Sequence, residues 1–136
     1  MKIKLDTECI RYMSLFETLT GATVKDCIIN TDSLIFVVKE GDAGLAIGKN
    51  GQNIKNLEKM INKRVEVIEF SPDPLVFTSN IFRPIEVKNI YLSEKSDGKK
   101  IIYLSTVKNK TLTKIKLKKA KSLVQKYFGI SDIVLT

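Results

Sequence analysis

Residues Ala46–Leu57 read AIGKNGQNIKNL. Gly48 and Gly51 enclose a lysine and an asparagine, and Ile47 and Ile54 stand on either side. Glycine at both ends gives a turn access to φ values that side chains oppose, and lets another chain approach its backbone closely. After the turn, Ile54, Leu57, Met60 and Ile61 fall on one face, which predicts a helix from Gly51 to about Asn62. Before it, Asp42 is placed to cap a one-turn helix over Ala43–Ile47. A G-x-x-G is a cheap pattern by itself, and a plain helix–helix turn would also use it. Its surroundings have to decide.

Upstream, Leu5, Cys9, Tyr12, Met13, Phe16 and Leu19 recur at steps of three and four, which predicts a helix over Leu5–Thr20. Asp6 or Thr7 would cap it and Gly21 would end it. The β-branched runs Val24–Asn30 and Leu34–Lys39 around an Asn/Thr/Asp turn predict a hairpin. Val65–Phe70 alternates like a strand with one buried face. Then Ser71–Pro74, SPDP, breaks the chain.

Beyond the break, Leu75–Arg83 predicts a short helix stopped by Pro84. Ile85–Glu94 and Lys99–Val107 flank the hairpin turn Ser96-Asp97-Gly98. A lysine-rich helical segment over Lys108–Phe128, Gly129 as its C-cap and a strand over Ser131–Leu135 complete the chain. Shifted by 66 residues, Leu57 falls on Leu123, Ile61 on Tyr127 and Val67 on Ile133. The expected fold is therefore α+β, two tandem αββααβ modules over residues 1–70 and 71–136. Gly48 falls on Lys114 and Gly51 on Leu117, so the second module keeps the pattern without the glycines.

Composition narrows the chemistry. The chain has 136 residues, 43% of them hydrophobic, and no run of the ~18 to 20 apolar residues that a membrane span needs. There is no histidine, which excludes His-based triads and imidazole metal sites. No acid–base pair or carboxylate cluster stands out, so neither an enzyme, a metal nor a cofactor is expected. The first residues lack the apolar core of a signal peptide, so the expected location is cytoplasmic. Cys9 and Cys27 then read as reduced, core-packing thiols.

The net charge is +8. Residues 1–70 carry ten cationic and ten acidic side chains, whereas residues 71–136 carry thirteen and five. The whole excess lies in the second half, and a basic face of that kind attracts nucleic acid through counterion release.

Ile47, Gly48, Gly51 and Ile54, in this element order, closely resemble the I-G-x-x-G-x-x-I signature of the KH RNA-binding module, type II form. That module clamps about four nucleotides in its turn. Gly44–Ile54, followed by a strand and then by Asp73-Pro74, Phe77, Asn80 and Pro84, is similar to the NusA transcription factors in their short archaeal form. The resemblance implies a monomeric, non-enzymatic protein that binds single-stranded RNA and meets RNA polymerase in elongation or termination; a protein–protein adaptor on RNA polymerase and a KH protein of ribosome assembly are the alternatives. It assigns RNA contact to Ile47, Gly48, Lys49, Asn50, Gly51, Asn53, Ile54 and Lys55. Ile47 and Ile54 would divide between core and groove floor. Asn53 has three readings, as a cap, a hydrogen bonder to a base, or a solvent-facing side chain.

Where the family usually has a second G-x-x-G, this chain has Lys114 to Leu117. What the segment offers is charge, with Lys114, Lys116, Lys118, Lys119 and Lys121 as a secondary basic surface. A solvated helix face or a polymerase contact would use the same lysines. Tyr91 and Tyr103, in strands, read as packing or as base-stacking rings.

Overall fold

A computed structural model of the chain describes residues 2–31, 33–107 and 110–136. Two compact units result, Met1–Phe70 and Ser71–Thr136. The first contains α1 (Lys2–Thr20), β1 (Val24–Ile29), β2 (Ser33–Val38), α2 (Ala43–Ile47), a single 3-10 turn (Lys49–Gly51), α3 (Gln52–Ile61) and β3 (Arg64–Glu69). The second contains α4 (Pro74–Phe82), β4 (Val87–Glu94), β5 (Lys100–Thr106), α5 (Lys110–Phe128) and β6 (Asp132–Leu135).

In the first unit the sheet runs in the order β1-β2-β3, with β1/β2 antiparallel and β2/β3 parallel. One face carries Leu34, Phe36 and Val38, which close on Phe16 of α1, Ala46 of α2 and Leu57 of α3. Phe16 and Phe36 stack with ring centroids 4.2 Å apart. Burying each such side chain contributes about 1.5–3 kcal/mol. This cluster fixes where α2 and α3 sit, and so fixes the turn between them.

Four details depart from the sequence reading. Helix α1 begins at Lys2, since nothing in Ile3 to Leu5 breaks a helix, and the proposed cap positions Asp6 and Thr7 lie inside it. Met60 is 60% exposed, because the buried stripe of α3 runs through Ile54, Leu57 and Ile61 and leaves Met60 at its edge. Asp42 makes no side-chain cap on α2; its carboxylate accepts the Thr23 N–H at 2.8 Å and ties the start of α2 to β1. The fourth is larger. Residues 110–128 form one continuous helix, so the second unit reads αββαβ where αββααβ was expected.

The second sheet, β4-β5-β6, has the same antiparallel-then-parallel pairing as the first. Each hairpin also has a register shift near the start of its first strand, at Val24/Asp26 and at Val87/Asn89. Asp73 caps α4 by accepting the Leu75 N–H at 2.9 Å, with Pro74 in the first turn. Phe77 of α4 meets the rings of Tyr127 and Phe128 of α5 at 5.7 and 5.8 Å. Ile102, Leu104, Leu123, Val124 and Ile133 are buried.

Cys9 and Cys27 are free thiols, and the Cys9 thiol donates to the Cys27 carbonyl at 3.2 Å. Burial, with the Cys9 thiol beside it, pushes the Cys27 thiol up to about 12. A thiol held protonated in this way is inert at neutral pH, as a packing role requires.

Candidate functional site

The Gly48–Gly51 turn depends on left-handed backbone at three of its four residues. Gly48 has φ 77° and ψ 170°, Asn50 has φ 58° and ψ 27°, and Gly51 has φ 72° and ψ 18°. The first of these combinations is one that only glycine adopts readily. Asparagine is among the few side chains that tolerate the second. Helix α2 closes with the Gly48 N–H donating to the Gly44 carbonyl at 2.9 Å, and the turn with the Gly51 N–H donating to the Gly48 carbonyl at 3.1 Å.

The two glycines have different reasons to be glycine. A Cβ on Gly51 would meet nothing within 4 Å, so its constraint is φ alone. A Cβ on Gly48 would lie 2.8 Å from the Asn53 Cγ and Nδ2 and 3.0 Å from the Asn53 backbone N. Asn53 occupies that place because its Nδ2 donates to the Leu45 carbonyl at 2.8 Å, one helix back. Of the three readings for Asn53, the structure supplies a fourth. It is a brace between α3 and α2, and Gly48 is bare so that the brace fits.

Gly51 at the N-cap of α3 brings no side-chain acceptor. The start of a ten-residue helix, with its partial positive charge, is therefore left without a side-chain cap at this turn. Lys49, Asn50 and Lys55 are exposed. Leu45 and Ile47 are 53% and 39% exposed, while Ile54 is half-buried. The Gln52 N–H donates to the Lys49 carbonyl, and the turn places exposed lysines, a helix N-terminus without a side-chain cap and open apolar carbons side by side. A phosphodiester with bases attached uses all three.

The lysines of α5 do not form one surface. Lys114, Lys118 and Lys121 are exposed, and steps of three and four residues put them on one face. Lys121 is bound to Asp132 at 3.3 Å, an exposed ion pair worth at most about 1 kcal/mol. Lys119 is half-buried. Lys116 has to be removed from the basic surface: it is only 7% exposed, and its Nζ donates to the Ile81 carbonyl at 3.4 Å. Its position explains why, since Thr113, Lys116, Ala120, Leu123 and Val124 form the buried stripe of α5. Lys108, part of the same run, lies outside the described residues.

Among the described residues, no group of three or more His, Cys, Asp or Glu side chains is placed to hold a metal ion. Among them, too, no helix is long and apolar enough to cross a membrane.

A helix–G-x-x-G–helix inside an αββααβ unit is the arrangement of a KH domain, and a model of the KH domain family matches residues 10–122. The chain belongs to the KH-domain family. Its relatives within that family are archaeal proteins that carry the name NusA. A Methanococcus vannielii protein named probable transcription termination protein NusA is 47% identical over 94 residues, 69% of this chain and 54% of its own length. The chain thus spans about half the length of that relative. A Halobacterium salinarum protein of the same name is 31% identical over the full length of both chains. The crystal structure of APE1850 is 31% identical, with a TM-score of 0.78 over 96% of this chain and 99% of that one.

Proposed function

We propose that the protein is a NusA-type transcription factor built from two KH modules in tandem, which holds single-stranded RNA at the Gly48–Gly51 turn. The carrying observation is the turn itself: left-handed backbone, an uncapped helix start and Lys49 beside open Leu45 and Ile47. Phosphates meet the N–H groups and Lys49, while bases lie along the apolar carbons. The second unit supports the tandem reading through its strand pairing and its matching register shift. Lys114 and Lys118 there add sequence-independent attraction for the strand. The protein acts in elongation or termination, without catalysis, as a monomer in the cytoplasm, with RNA polymerase as a partner.

The test is the double substitution Lys49→Asp and Asn50→Asp, which sets two negative charges against the phosphates on exposed positions. Single-stranded RNA affinity should fall by more than tenfold while the circular dichroism spectrum stays as in the wild type. A folded double variant that binds RNA as the wild type does would remove the turn from the interface. A second reading, an adaptor docked on RNA polymerase, is favoured by one observation, the absence of a G-x-x-G in α5. Polymerase capture that survives nuclease, alongside no measurable RNA affinity, would select it.

A further inference from the structure

Strands β4 and β5 have two unlike faces. Ile102 and Leu104 are buried and belong to the core, and their register partners on the edge strand β4 are Leu92, 39% exposed, and Ile90, half-buried. The opposite face carries Asn89, Tyr91 and Ser93 from β4 and Ile101, Tyr103 and Ser105 from β5. Tyr91 and Tyr103 are direct cross-strand partners, and their rings stack at 5.2 Å with planes 15° apart. Packing does not consume Tyr91, which remains 55% exposed, whereas Tyr103 is half-buried. The Lys95 ammonium lies 5.0 Å from the Tyr103 ring centroid, which puts a cation at the edge of the stack.

The composition of this face selects its occupant. With its inner face against Tyr103, Tyr91 offers its outer face as a flat π-surface, Asn89, Ser93 and Ser105 offer short donors and acceptors around the pair, and Lys95 offers a positive charge. On the same face β6 adds Val134 opposite Tyr103 and Asp132 opposite Ile101, so apolar and polar side chains alternate across it. The unit is also the one that carries the chain's whole excess of eight positive charges. A flat ring with polar edges on a negative backbone matches the open ring, the short polar side chains and the lysine. We infer that Tyr91 and Tyr103, with Lys95 beside them, form a second single-stranded RNA site at which an unpaired base stacks on the open face of Tyr91. This inference rests on the RNA-binding function proposed above, and it assigns the second unit a contact that needs no G-x-x-G.

The test uses the full chain and a mixed-sequence, single-stranded RNA long enough to engage more than one site. Tyr91→Thr removes the ring and keeps a β-branched residue in the strand, whereas Tyr91→Phe keeps the ring. Base stacking on an aromatic side chain predicts a loss of about five- to tenfold for Tyr91→Thr and less than about twofold for Tyr91→Phe. The slope of affinity against salt should stay unchanged, because neither substitution alters charge. RNA carrying 5-iodouridine should photocrosslink to the peptide that holds Tyr91 or Tyr103. Wild-type affinity in Tyr91→Thr, with no crosslink between Val87 and Thr106, overturns the site. If RNA binding is also weakened by Lys49→Asp with Asn50→Asp, that outcome leaves the first site standing and removes only this one. Unchanged RNA affinity with lost capture of RNA polymerase would make the face a protein surface and would likewise overturn the proposal. A wild-type chain with no affinity for RNA would overturn both sites together.

Discussion

The segment joining the two parallel strands differs between the units. In the first it is helix, turn and helix, Ala43–Ile47, Lys49–Gly51 and Gln52–Ile61; in the second it is the single helix Lys110–Phe128. The sheets on either side pair in the same way. The turn is therefore not something this architecture requires in order to close. It costs left-handed backbone at three positions, and α5 satisfies the same connection with regular helix. A turn kept where regular helix would serve is the observation on which the proposed RNA contact rests.

That contrast can be broken most severely by exchanging the segments. Replacing Lys114-Ile115-Lys116-Leu117 by Gly-Lys-Asn-Gly should destabilise the second unit by more than about 3 kcal/mol, through two helix-interior glycines and the loss of the buried Lys116 and half-buried Leu117 side chains. Urea unfolding would measure this, and a stable variant with raised RNA affinity would mean α5 is ready to host a turn. Next in size is Gly48→Ala, where both φ and the Asn53 contact resist a Cβ. It should cost about 2–3 kcal/mol and weaken RNA binding at least tenfold, whereas Gly51→Ala should cost about 1 kcal/mol.

Lys116→Ala should lower stability by about 2 kcal/mol by removing a buried hydrogen-bonded cation and its packed stem, with little change in the salt slope of RNA binding. Asn53→Ala removes the brace to Leu45, and the expected cost is about 1 kcal/mol. RNA affinity should fall further than stability does, because the turn loses its set geometry. Asn53→Asp keeps the shape, loses the donor and adds a negative charge beside the turn, so it should weaken RNA binding more than the alanine variant does. The smallest effect belongs to Lys118→Ala on the exposed face of α5. Its melting temperature should match the wild type, and the salt slope should fall by about one phosphate contact.

The first half was legible because its signals are local. Gly48 and Gly51 announce a turn by residue type, and the bounds Ala43–Ile47 agree with the expected one-turn helix although Asp42 does not cap it. Lys116 shows the limit. Lysine is nearly always solvated, so residue type argued for the surface, while the spacing Thr113, Lys116, Ala120, Leu123 argued for the core. The spacing won, and the stem of a long amphipathic side chain explains how it can. The same stripe, with no glycine between Gly98 and Gly129, was also the signal that α5 would not break. Asn53 could not have been read from the sequence. Its partner is a backbone carbonyl eight residues away, and carbonyls carry no residue identity.

The parallel pairing of β2 with β3 has a kinetic consequence. Its register runs from Ser33 opposite Arg64 to Val38 opposite Glu69, and β3 is the edge of the sheet. Parallel neighbours need a crossover, and the G-x-x-G turn is the midpoint of this one. The loop must close before the pairing rewards it, which makes such ladders late to form. The turn is then completed when β3 docks and is undone whenever β3 lifts away. Amide exchange at the β3 positions bonded to β2 would therefore report how often the crossover that carries the turn opens.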